Sequence, residues 1–61
     1  MYEEERKISI LNKIQTERNV AVSKLAKQFG VSESTIRRDL SSLETSGFIK
    51  RTHGGAILQG E

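Results

Sequence analysis

A mostly α fold with a small β-hairpin is what this sequence predicts, on three observations. Apolar residues recur at helical spacing in successive segments, each bounded by a capping or breaking residue. No proline interrupts the chain, as suits long stretches of uninterrupted helix. A Gly54-Gly55 pair lies between two short β-prone runs near the end, which is the pattern of a hairpin.

The elements follow in order. The first helix is expected from about Tyr2 to Thr16, with Ile8, Leu11 and Ile14 as its inward stripe and Ile10 beside them. Glu3, Glu4 and Glu5 stand at its start, where the helix dipole favours negative charge. Glu17, Arg18 and Asn19 break the pattern, and Val20, Ala21 and Val22 form one short β-prone run able to pair with a later strand. Ser23 is read as the N-cap of a short helix whose inward face is Leu25, Ala26 and Phe29, ended by Gly30. Ser32 is a second N-cap, and Val31 with Ile36 forms a hydrophobic staple across it. The helix that follows carries Ile36, Leu40 and Leu43 on one stripe and stops at Gly47. Phe48 to Leu58 reads as the hairpin, and 59–61 as a frayed end.

Composition limits the function. With 61 residues the chain holds one domain and one small core. The absence of cysteine removes disulfides, thiolate metal sites and cysteine nucleophiles. No apolar run approaches the roughly 20 residues that span a bilayer, and none resembles a signal peptide. The chain therefore reads as soluble and intracellular, with no membrane partner. Its net charge of +2 hints only weakly at a polyanionic partner. His53 is the only histidine, so no common zinc site forms around it. No nucleophile with an orienting base stands out, and the chain is not expected to be an enzyme or to hold a cofactor.

Two helices joined by a tight, glycine-containing turn form a helix-turn-helix unit, with the segment from Ser32 as its second helix. At about 100° per residue, Ser34, Arg38, Ser41 and Thr45 point away from the apolar stripe. Thr35, Arg37 and Ser42 lie on the shoulders. An inert surface helix would favour Glu, Lys and Ala, whereas this one is filled with Ser and Thr, which are mediocre helix formers. Short hydroxyl side chains let a helix approach phosphates and base edges closely. Two arginines among them supply forks suited to guanine or phosphate. Free backbone N–H groups near Ser32 and Glu33 add an anion site. Arg38, pointing straight outward, is the better candidate for reading bases, and Arg37, on the shoulder, suits phosphate as well as a base. Glu33 is read as a dipole partner of the first turn and Asp39 as half of an intramolecular salt bridge.

The hairpin adds Lys50, Arg51, His53, Gly54 and Gly55, a second surface able to lie along a phosphate backbone or a minor groove. Its glycines permit a turn with positive φ, close approach to DNA, or both. The alternative is a protein-interaction or RNA-binding module. Arginines among hydroxyls argue against a protein partner, and the scarcity of aromatics argues against stacked RNA bases. Phe29 is expected in the core and Phe48 only partly covered.

The run from Val31 to Leu40 (VSESTIRRDL), with Leu43-Glu44, Gly47, Arg51 and His53-Gly-Gly-Ala56, resembles the DNA-binding domain of the DeoR family of bacterial transcription regulators. The resemblance implies a winged helix-turn-helix over residues 1–58, with three helices and a wing. The helix-turn-helix would lie at about 20–39 and the wing at about 48–58. It implies binding to double-stranded operator DNA, usually to repress sugar or nucleoside catabolism genes, in the bacterial cytoplasm at the nucleoid. Residue by residue it assigns DNA contacts to Ser34, Thr35, Arg37 and Arg38, and to the wing from Arg51 to Gly55. It also implies a further C-terminal domain that senses a phosphorylated sugar and oligomerises. These residues alone are then expected to be a monomer, and a longer parent a homo-oligomer.

Overall fold

A computed structural model describes residues 2–59. Its elements run α1 (Glu3–Glu17), β1 (Asn19–Ala21), α2 (Val22–Phe29), α3 (Glu33–Thr45), β2 (Ile49–Thr52) and β3 (Gly55–Leu58). The strands form one antiparallel sheet of three in the order β1-β3-β2. This is a winged helix-turn-helix: α2 and α3 are the paired helices, and β2 with β3 is the wing. No helix among the described residues is long and apolar enough to cross a membrane.

The core joins every element. Ile10 and Ile14 of α1 meet Val22, Leu25 and Ala26 of α2, Ile36, Leu40 and Leu43 of α3, and Ile49 and Ala56 of the sheet. Ile8 does not lie on the inward stripe that the spacing predicts but is 60% exposed. Three-residue spacing lags the helical turn by about 60° per step, so Ile8 lies about 120° from Ile14. The core takes Ile10 and Ile14, with Leu11 packed at its margin. Phe29 is partly buried against the core, whereas Phe48 is half exposed.

The junction at α2 also differs from expectation. Val22 belongs to the helix, and its N-cap is Ala21, which makes no side-chain cap bond; Ser23 is not the cap. The reason is remote in sequence. β1 ends where Ala21 pairs with Gly55, and the free N–H of Val22 donates to the Gly54 carbonyl at 2.9 Å. A sheet partner thus does the work a hydroxyl cap would do.

The short turn behaves as the sequence predicts. Gly30 closes α2 in the left-handed region, while its N–H and that of Val31 both donate to the Ala26 carbonyl. Val31 is partly buried against the core that holds Ile36, as a staple requires.

At the other end of the chain, Gln59 is not frayed as its sequence context predicts: its N–H donates to the Phe48 carbonyl at 3.1 Å. That bond extends the β2–β3 pairing by one step. Residues 60 and 61 of that expected frayed end lie outside the described residues.

Candidate nucleic-acid interface

The start of α3 is built by Ser32. Its Oγ accepts the Thr35 N–H at 3.2 Å and lies 3.0 Å from Thr35 Oγ1. One of the orphan amides of the first turn is satisfied this way. Both hydroxyls, that of Thr35 being a predicted DNA contact, are therefore engaged with the helix start. A hydroxyl can still share its remaining lone pair or proton.

Beyond the cap, α3 divides into two faces. Ile36, Asp39, Leu40 and Leu43 are buried. Ser34, Arg37, Arg38, Ser41 and Thr45 are exposed, as the helical periodicity requires. The two neighbouring arginines then differ. Arg37 Nη2 donates to Glu33 Oε1 at 3.0 Å, one turn earlier on the same exposed face. Arg38 makes no side-chain hydrogen bond or ion pair among the described residues. Glu33 is thus a partner of Arg37 as well as a first-turn acid.

Asp39 faces inward, 1% exposed, and takes a two-pronged bond from Arg6 of α1. Arg6 Nε donates to Oδ2, and Nη2 donates to Oδ1 at 3.1 Å. The expected salt bridge of Asp39 is present, and its partner is a residue the sequence reading left unassigned. The hydrogen bond to Asp39 raises the Arg6 pKa above its ordinary value; burial opposes this, and the charges of Asp39 and Glu3 add to it. Lys7 Nζ donates to Ser42 Oγ at 3.0 Å, so a second bond ties the same two helices.

The wing brings its basic residues to unlike places. Along β2, Ile49 is buried, Lys50 exposed, Arg51 half-buried and Thr52 exposed, the alternation of a strand with one covered face. Lys50 and Thr52 therefore look outward, while Arg51 turns toward α3. His53 and Gly54 form the two-residue turn between the paired residues Thr52 and Gly55, with Gly54 at φ 84°. Both are exposed.

Gly55 departs from its predicted place at the DNA. It is buried, and a Cβ built on it would stand 2.0 Å from the Val20 carbonyl oxygen. The close approach that needs glycine here is that of β1 to β3.

The groove beside the wing turn adds a residue the sequence reading missed. Lys13, Asn19, Lys24, Thr52, His53 and Gly54 are among the side chains and backbone that line it. Lys13 is paired with Glu17 at 3.0 Å, whereas Lys24 stands exposed at the start of α2. Only its position, two residues into the first helix of the unit, could have signalled it.

A family model described as the DeoR-like helix-turn-helix domain matches residues 6–61. The chain is 45% identical over 58 residues to the HTH-type transcriptional regulator GolR of Listeria innocua, covering 95% of this chain and 23% of that protein. It is 41% identical over 58 residues to the HTH-type transcriptional repressor GlcR of Bacillus subtilis, covering 95% of this chain and 22% of that one. With the lactose phosphotransferase system repressor of Lactococcus lactis the identity is 34% over 58 residues, covering 95% and 23%. The chain thus spans about a fifth of the length of these curated relatives. No solved structure gives a significant match.

Proposed function

The chain belongs to the DeoR-like helix-turn-helix family, and on that premise we propose that it binds double-stranded DNA sequence-specifically as the operator-reading part of a bacterial transcription regulator. The observation that carries this reading is the outer face of α3. It presents Arg38, which makes no side-chain bond among the described residues, amid the short side chains Ser34 and Thr45. A helix of about 10–12 Å diameter fits the major groove, where an arginine can grip guanine through two bonds. Arg37, already tied to Glu33, supplies charge at the shoulder for phosphate. Lys50, Thr52, His53 and Gly54 of the wing, with Lys24 of α2, offer further phosphate contacts. The role is binding rather than catalysis.

The regulated genes belong to sugar or nucleoside catabolism in this proposal, and the regulator acts as a repressor. Support comes from relatives named as repressors, one of them of a lactose phosphotransferase system. Sensing of a phosphorylated sugar and assembly into a homo-oligomer are assigned to residues outside this chain. The chain itself is a monomer with modest affinity for a single half-site.

Amide chemical shifts test the reading. Adding a duplex selected from a randomised pool at low salt should move the signals of residues 32–42 and of the wing turn. Raising the salt should reverse the shifts, since phosphate contacts release counterions. If those signals stay still while others move, the interface lies elsewhere.

A further inference from the structure

The resemblance counts Arg51 among the DNA contacts, yet its bonds lead to α3. Its backbone N–H donates to Glu44 Oε2 at 3.0 Å, and its Nη1 donates to Ser41 Oγ at 2.8 Å. Its Nε is buried and has no partner among the described residues. β2 is an edge strand of the sheet. Every second N–H on such an edge lacks a strand partner, and Glu44 fills that role for Arg51. Opposite Arg51 in the register stands Ala56, fully buried in the core. The tie therefore grips the wing on the strand itself, close to the core, rather than at the exposed turn.

We propose that Glu44, Ser41 and Arg51 form a latch that fixes the angle between the wing and α3, so that Arg51 is a positioning residue for DNA recognition and not a phosphate contact. The inference rests on the DNA-binding reading above. Its physical basis is that two surfaces meeting one duplex must keep a set separation. β2 is anchored at its start, where the Phe48 N–H donates to the Leu43 carbonyl and Ile49 enters the core. The backbone bond and the side-chain bond of Arg51, to acceptors one turn apart on α3, add a second anchor further along the strand toward the turn. The alternation along β2 agrees: Lys50 and Thr52 remain outward for phosphate while Arg51 faces the helix.

The test uses the chain with a duplex it selects from a randomised pool, titrated by fluorescence anisotropy at several salt concentrations. Wild type is compared with Arg51→Ala, Ser41→Ala and the double variant, after circular dichroism shows each folded. Loss of one latch bond should weaken binding about 3- to 10-fold, as the net strength of a hydrogen bond implies. The double variant should be no weaker than Arg51→Ala, because both substitutions break one interaction. The dependence of log affinity on log salt should keep its slope. Additive losses, with a slope reduced by about one in Arg51→Ala, would make Arg51 a phosphate contact and overturn the latch. A second arm needs no DNA. In the free chain, Glu44→Ala should speed hydrogen exchange at the Arg51 amide about 3- to 10-fold; equal exchange rates would also overturn it. Should wild type select no duplex, the DNA-binding reading fails, and the exchange arm still decides the latch.

Discussion

The two faces of α3 use the same kinds of side chain for opposite ends. On the inner face Asp39 is buried and held by two bonds from Arg6. On the outer face Arg38, its immediate neighbour in sequence, is exposed and makes no ion pair among the described residues. A charge under cover must be matched at its own site, since an unpaired buried charge costs several kcal/mol. An exposed charge carries no such debt, and its fork stays open for a ligand. One helix thus separates a charge that is matched inside the protein from a charge left open to a ligand. Arg37 falls between the two, exposed but tied to Glu33 in a pair that water weakens.

Breaking the inner pair should have the largest effect. Arg6→Ala leaves Asp39 buried and alone, at an expected cost of about 3–5 kcal/mol. A chain of 61 residues has only about 3–9 kcal/mol to lose, so its thermal transition should collapse. Replacing both partners, Arg6→Met with Asp39→Leu, should regain most of that loss. The sign of the pH dependence on the arginine side is clear. Because the folded state raises the Arg6 pKa, its contribution is complete below the unfolded value and is lost only in strong alkali. A stability scan across the neutral range should show no loss traceable to Arg6.

Gly55→Ala comes next and separates packing from recognition within the wing. Its new methyl meets the Val20 carbonyl, which should lower the urea midpoint by an amount equivalent to about 1–3 kcal/mol. If stability holds and only DNA affinity drops, Gly55 acts at the DNA after all. The smallest effect is a gain. Arg18, at φ 74°, is the one non-glycine with positive φ among the described residues. It is held there because its N–H donates to the Ile14 carbonyl and its own carbonyl accepts the Leu58 N–H. Arg18→Gly should raise stability by up to about 1 kcal/mol by removing the Cβ conflict, measured by the same denaturation.

What could be read from the sequence was what is local. The Ser32 cap, the Gly30 stop, the apolar stripe of α3 and the hairpin turn each depend on residues within a few positions of one another. The two faces of α3 followed from periodicity alone, and with them the outward place of Arg38. What could not be read depends on distant partners. Nothing near Ser23 reveals that the Gly54 carbonyl makes its cap unnecessary. Nothing near Gly55 announces that β1 crosses against it. Arg6 looks like any basic residue near a helix start until α3 brings Asp39 beside it. Arg51 looks like a phosphate contact until the sheet turns it toward Ser41 and Glu44. Ile8 lies outside for another reason: three-residue spacing is compatible with two helical faces, and only the packing of Ile10 and Ile14 selects one.

Whether Arg38 reads bases from the open face of α3 is decided by Arg38→Ala, titrated on the selected duplex and on a scrambled one. A base-reading Arg38 gives a loss of about 1–3 kcal/mol on the selected duplex, little change on the scrambled one, and unaltered thermal stability. An equal loss on both duplexes would make Arg38 a phosphate contact, and unchanged binding on both would remove it from the interface.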